Sequence, residues 1–169
     1  MGVSFADLHV LIVDDDAFTR SIVADVLKTM GFRRVRESVD GEAAFDACRQ
    51  TPPDIVILDL AMPSDGVSLL RRLRTAPDSP DREVAVIAMT AFTDRRRIEL
   101  LRDAGASEIM AKPLSVSSIQ SRLVAVIDRP RPFVMARDYV GPDRRRHANV
   151  QRGMLRRAAD FETDTYEVA

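Results

Sequence analysis

The stretch "HVLIVDDDAF" (residues 9–18) runs four apolar residues straight into three carboxylates. A short apolar run rich in β-branched residues and bounded by polar ones reads as a strand buried on both faces of a parallel sheet. Three adjacent acids at its end repel one another, and a carboxylate beside an apolar core loses hydration. The pattern asks for a positive group at that strand end.

Two more runs of the same kind follow, "DIVILDL" (54–60) and "VAVIAMT" (84–90). "RRVRES" (33–38) and "SEIMAK" (107–112) are shorter or more polar, as edge strands are. Helical spacing lies between them. Ile22, Val23, Val26 and Leu27 form one stripe in 18–30, with Gly31 as a stop. Residues 41–49 follow Asp40, a natural N-cap, and residues 94–104 end at Gly105. Residues 115–128 place Val116, Ile119, Leu123, Val126 and Ile127 on one face. Strand–helix alternation of this kind predicts an α/β, doubly wound parallel sheet with right-handed crossovers.

"RPRP" (129–132) ends that pattern, because alternating prolines favour an extended linker. The expected division is therefore a domain over 6–128 and a Pro/Arg-rich tail over 129–169. The tail shows no clear strand, only a short helical stretch near 150–159, and is expected to be disordered or ordered by a partner.

The chain has 169 residues, 46% of them hydrophobic, and a net charge of −1. That average conceals an asymmetry: residues 1–128 carry −4, residues 129–157 carry +7, and residues 158–169 hold four acids and no base. The single cysteine, Cys48, rules out an internal disulfide and sits at core spacing with Ala44 and Phe45. No stretch approaches the roughly 18 apolar residues of a membrane span. A soluble, cytoplasmic protein without a membrane partner is the expectation.

In an open parallel sheet, the loops after the strands' carboxyl ends meet in one crevice. Asp14, Asp15 and Asp16 follow the first strand, Asp59 and Thr90 end the third and fourth, and Lys112 ends the fifth. Converging carboxylates suit a hard divalent cation such as Mg²⁺, which also takes phosphate oxygens as ligands. A carboxylate can act as a nucleophile toward a phosphoryl donor, with cations and a hydroxyl steadying the transferred group.

"LIVDDDAFTR", "VILDLAMP", "VIAMTAF" and "IMAKPL", in this order and spacing, resemble the receiver domain of two-component response regulators. The resemblance implies a flavodoxin-like sheet in the order 2-1-3-4-5. It implies Asp59 as phospho-acceptor, and Mg²⁺ held by Asp14, Asp15, Asp59 and the backbone carbonyl of Ala61. Thr90 and Lys112 become the switch hydroxyl and the phosphate-contacting amine, with a cis bond before Pro113. Asp16 falls on the exit side, as a helix cap or a solvated acid. The implied role is a phospho-acceptor rather than an enzyme acting on a separate substrate. The implied partners are a histidine kinase or histidine phosphotransferase and a downstream effector protein, such as the flagellar motor switch. The rival reading, a haloacid-dehalogenase-type phosphatase, meets only its Asp-x-Asp element at Asp14–Asp16 and leaves Asp59 unexplained.

Some positions depart from the family pattern. Ile109 stands where many receivers carry an aromatic switch residue, and the loop after "AMP" is one residue shorter than usual. Ala61 and Phe92 are apolar where water-positioning polar residues are common, which points to a long-lived phospho-form.

The remaining 41 residues are too few for a conventional DNA-binding output domain, which needs roughly 60. Three readings of the basic tail stand side by side: a solvated tail, a docking site for an acidic protein, or a ligand site. For the last, Arg137, Tyr139, Asp143, Arg144, Arg145 and Arg146 resemble the arginine-rich extensions of stand-alone receivers that bind cyclic di-GMP, since guanidinium forks match phosphate and guanine edges. A basic tail gripping nucleic acid is the further alternative.

Overall fold

The computed structural model describes residues 4–63 and 66–145. Its elements are β1 (His9–Val13), α1 (Ala17–Thr29), β2 (Arg34–Ser38), α2 (Gly41–Gln50), β3 (Ile55–Asp59), α3 (Gly66–Thr75), β4 (Ala85–Thr90), α4 (Arg95–Asp103), β5 (Glu108–Ala111) and α5 (Val116–Asp128). They are followed by β6 (Phe133–Met135) and β7 (Val140–Pro142). The first five strands form one parallel sheet in the order β2-β1-β3-β4-β5. The expected flavodoxin-like topology is the observed one.

Period-two alternation explains why the central strands read as unbroken apolar runs. Val10, Ile12, Ile55, Ile57, Ile87 and Met89 enter the core shared with Val23, Leu27, Ile119 and Leu123 of α1 and α5. Leu11, Val13, Val56, Leu58, Val86 and Ala88 enter the opposite core with Phe45 of α2, Leu70 and Leu73 of α3, and Leu101 of α4. Both sheet faces are covered, so neither parity of residue can be polar. Cys48 is a buried member of the second core, as its spacing predicted.

The helix starts follow local chemistry. Asp16 accepts from the backbone N–H of Phe18 and Thr19, Asp40 from that of Ala43, and Asp94 from that of Arg97. Ser115 and Ser118 form a reciprocal capping box at α5. Gly31 and Gly105, just past α1 and α4, both have φ of +98°, the left-handed conformation that closes a helix at little cost to glycine. One helix, α3, is not delimited by the sequence patterns above, although strand–helix alternation requires it.

The segment after Asp128 differs from expectation. Residues 133–142 fold into an antiparallel hairpin, β6–β7, rather than a disordered tail without strands. Strands of three residues carry too little pattern to be legible, and their stability comes from contacts distant in sequence. Gly141 approaches Gly105 so closely that a Cβ there would lie 2.8 Å from the Gly105 Cα and 2.7 Å from the Tyr139 hydroxyl. Tyr139 is buried, and its hydroxyl donates to the Pro142 carbonyl at 2.5 Å. Arg131 donates to the Ser107 carbonyl at the start of β5, and Arg144 pairs with Asp103 at 2.7 Å.

Beneath the hairpin lies Arg74, 1% exposed. Its guanidinium donates to the carbonyls of Gly105 (3.0 Å), Arg82 and Val84 (2.8 Å each), and faces the Phe133 ring at 5.5 Å. Burial pushes its pKa down to about 10. It therefore stays charged at neutral pH, held by carbonyl dipoles. Residues 146–169, including Arg146 and the 150–159 stretch, lie outside the described residues.

A methyl group at Gly141 has no room without displacing the Tyr139 ring or the Gly105 turn. Gly141→Ala is expected to lower unfolding free energy by about 1–3 kcal/mol, the usual range for overpacking, as read by urea denaturation. Arg74→Ala removes the donors of two buried carbonyls and one partly buried one, and is expected to cost about 2–5 kcal/mol in the same assay.

Candidate functional site

Strand register brings the chemistry together. Val13 pairs with Leu58, Asp59 with Met89, and Thr90 with Ala111, so Asp14, Asp59, Thr90 and Lys112 leave the sheet along one edge. Backbone bonds from Asp14 N to the Ser38 carbonyl (3.2 Å) and from Lys112 N to the Thr90 carbonyl (2.8 Å) carry the ladder one step further. The peptide between Lys112 and Pro113 is cis.

Carboxylate oxygens of Asp14, Asp15 and Asp59 all lie within 4.8 Å of one another. Asp14 and Asp59 are buried, at 0% and 3% exposure, whereas Asp15 is exposed. The Lys112 ammonium sits 3.1 Å from Asp59 Oδ2 and 3.5 Å from Asp14 Oδ2. It is the positive group that the opening stretch demanded. It serves Asp59 better than Asp14: Asp14 Oδ1 accepts from the Asp16 N–H at 2.8 Å, but its buried Oδ2 has no hydrogen-bond partner among the described residues.

The titration directions match this geometry. Burial raises the Asp14 carboxyl above the usual aspartate range, with the Asp59 charge adding to it, against the Asp16 N–H and Lys112. For Lys112, burial pulls the amine down, but Asp59 and then Asp14 together outweigh it and hold it above the usual lysine value. The ionised cluster has one ammonium for three carboxylates, and the Asp14 Oδ2 that accepts no hydrogen bond points to where further positive charge fits. Three convergent carboxylates with one open oxygen suit a hard divalent cation.

Thr90 is buried, and its hydroxyl is engaged with the loop that follows. It accepts from the Phe92 N–H at 3.0 Å and lies 3.3 Å from the Phe92 carbonyl. Phe92 is half-exposed, with the Arg97 guanidinium 3.6 Å from its ring centre. Ala61 is exposed beside Asp59, and its N–H donates to Asp59 Oδ1 at 3.1 Å. Asp16 caps α1 and bonds the Thr19 hydroxyl at 2.7 Å, which commits it to the helix rather than to an Asp-x-Asp pair with Asp14.

Two contributors escape a motif-based reading. Arg20 donates to the Asp14 and Asp15 carbonyls at 2.8 and 3.3 Å while paired with Glu37, so it ties the acidic loop to β2. Its place one turn into α1 is the only sequence signal. Gly66 opens α3 against the Asp59 backbone, where a Cβ would overlap the Asp59 carbonyl oxygen. The "DG" pair at 65–66 marks a turn but not this approach.

Among the described residues, the tail candidates make different contacts. Tyr139 is buried rather than offering a free stacking face, and the Arg144 guanidinium already lies 4.3 Å from its ring centre. Asp143 Oδ1 accepts from the Arg145 N–H, while Arg137 and Arg145 are exposed. Arg146 falls outside the described residues.

Comparison with known proteins identifies the family. The family model for the response regulator receiver domain matches residues 10–124. A probable chemotaxis protein CheY of Rhizobium etli is 32% identical over 120 residues, covering 70% of this chain and 92% of that protein. The transcriptional regulatory protein PdtaR of Mycobacterium tuberculosis is also 32% identical, over 73% of this chain but only 58% of its own length. Among solved structures, a putative response regulator from Chloroflexus aurantiacus superposes with a TM-score of 0.66 at 29% identity, over 72% of this chain and 98% of that one. A CheY from Borrelia burgdorferi, solved in a CheX–CheY–BeF₃–Mg²⁺ complex, gives 0.64 at 29% identity, over 70% and 88%. With the family model spanning most of the chain and the acidic edge formed by the expected residues, the chain belongs to the response regulator receiver family of two-component signalling.

Proposed function

We propose that this receiver accepts a phosphoryl group on Asp59 with Mg²⁺ bound at Asp14, Asp15, Asp59 and the Ala61 carbonyl. A histidine kinase or histidine phosphotransferase would donate it, and output would run through contact with an effector protein. The observation that carries this reading is the Asp14–Asp59–Lys112 cluster, in which the buried Asp14 Oδ2 has the Lys112 ammonium at 3.5 Å but accepts no hydrogen bond. Mg²⁺ would supply the missing positive charge and screen the incoming phosphoryl oxygens.

The chain's own residues have distinct tasks. An Asp59 carboxylate oxygen attacks phosphorus, and the bond from phosphorus to the donor nitrogen breaks, leaving its electron pair on the donor imidazole. Lys112, already 3.1 Å from Asp59, follows the new phosphoryl oxygens as an ion-pair partner. Thr90 exchanges its Phe92 contact for a phosphoryl oxygen, and this pulls the loop between β4 and α4 inward. The small Ile109 side chain at the common aromatic position leaves backbone movement of α4 and β5 to carry the signal.

Cyclic di-GMP binding on the tail is the finer reading. Of the tail candidates among the described residues, Arg137, Arg144 and Arg145 are exposed, and Arg144 is already paired with Asp103. Calorimetric titration of cyclic di-GMP into the full chain and into Arg137→Ala/Arg145→Ala tests it; saturable heat lost in the variant supports it, and no heat in either protein ends it. No described helix is long and apolar enough to cross a membrane.

Acetyl phosphate with Mg²⁺ is expected to add one phosphoryl group by intact mass, and Asp59→Asn to abolish the addition. Asp14's raised carboxyl pKa means the folded state holds its proton to higher pH than the unfolded chain does. Its ionisation therefore erodes stability as pH rises through that interval, and Mg²⁺ should restore it. Asp14→Asn is expected to raise Tm in chelator at pH 7 and to lose the Mg²⁺-dependent increment, as read by thermal melts. Phe92→Glu, which puts a polar group beside the phosphoryl site, is expected to speed dephosphorylation severalfold. An unchanged decay rate would remove the long-lived phospho-form from this account.

A further inference from the structure

A groove of about 620 Å³ runs along the edge formed by α4, β5 and α5, from Thr90 at one end to the hairpin segment at the other. Ile98 and Ile109 supply apolar lining, and Arg102, Arg122, Arg131 and Arg144 supply guanidinium groups from two helices and the tail. Two carboxylates offset them: Glu108 lies 3.0 Å from Arg122 and 3.8 Å from Arg131, and Asp103 pairs with Arg144. Four cations against two anions leave the groove positive. Arg102 stands exposed on α4. Such a surface fits a peptide that alternates acids with apolar or aromatic side chains.

The chain contains such a peptide. Residues 158–169 read "AADFETDTYEVA", with Asp160, Glu162, Asp164 and Glu167 interleaved with Phe161, Tyr166 and Val168 and with no basic residue. It is the one stretch whose charge opposes the basic segment before it. Twelve residues, 146–157, separate it from Arg145, whose neighbour Arg144 lines the groove. Extended, twelve residues span up to about 40 Å, more than enough to reach any part of the groove. A short tether also presents the peptide at roughly millimolar effective concentration, so weak charge pairing suffices.

We infer that residues 158–169 dock in cis into the arginine-lined groove between α4 and α5, setting acids against Arg102, Arg122, Arg131 and Arg144 and aromatic rings against Ile98 and Ile109. The docked segment occupies the surface that an acidic partner would need, so the protein carries its own competitor. The inference stands on the groove and the peptide and does not depend on phosphorylation of Asp59.

The test uses the full chain carrying a nitroxide on Thr165→Cys, with buried Cys48 left in place, and reads paramagnetic broadening of backbone amides. Docking predicts severalfold loss of peak intensity at Ile98, Ile109 and Arg122, unchanged on dilution and little effect at Val26 on the α1 face. The loss should vanish when Asp160, Glu162, Asp164 and Glu167 are replaced by their amides, and should weaken in Arg102→Glu. Broadening spread evenly over the surface would overturn the inference. So would broadening that appears only when labelled and isotope-enriched copies are mixed, since that assigns the peptide to a second molecule.

Discussion

Two carboxylates at the ends of adjacent buried strands set the terms for this fold. Asp14 and Asp59 are nearly inaccessible to water and within 4.8 Å of one another through their oxygens. Such a pair is costly unless positive charge is brought to it. Lys112 answers Asp59 well and Asp14 poorly, which leaves one buried oxygen open. Neighbouring structure is arranged around that compromise. Arg20 holds the acidic loop by its carbonyls, and Gly66 lets α3 start against the Asp59 backbone.

A second buried charge organises the other end of the molecule. Arg74 sits under the hairpin with its donors on three carbonyls, and Gly105 and Gly141 meet beside it. This changes what the basic tail means. Counted from sequence, residues 129–157 carry a surplus of +7. In the fold, Arg131 is committed to Ser107 and Glu108, and Arg144 to Asp103 and the Tyr139 ring. Those arginines fasten the tail to the end of α4 and the start of β5. The positive field they leave lies along a groove rather than on a free arm, which is a different surface for a partner to recognise.

The sheet and the residues of the acidic edge were legible because each rests on a local signal repeated several times, whereas the strand order was implied by the resemblance to receiver domains. Apolar runs mark strands buried on both faces, Asp16, Asp40 and Asp94 cap helices, and strand-end positions place Asp14, Asp59, Thr90 and Lys112 together in any parallel sheet of this topology. The hairpin was not legible, because two strands of three residues have no periodicity to read and owe their existence to Gly105 and Arg74. Tyr139 shows the same limit. Its composition suggests an exposed stacking face, and packing against the α4–β5 turn buries it instead.

By itself, then, the sequence determined the fold class, the strand-end chemistry and the starts of α2 and α5, since all of these follow from period, capping and chain order over a few residues. Only the tertiary structure decided which carboxylate Lys112 favours, that Asp14 Oδ2 accepts no hydrogen bond, and which tail arginines are tied down. Those outcomes depend on distances of a few ångströms between groups far apart in the chain, and no local pattern encodes them.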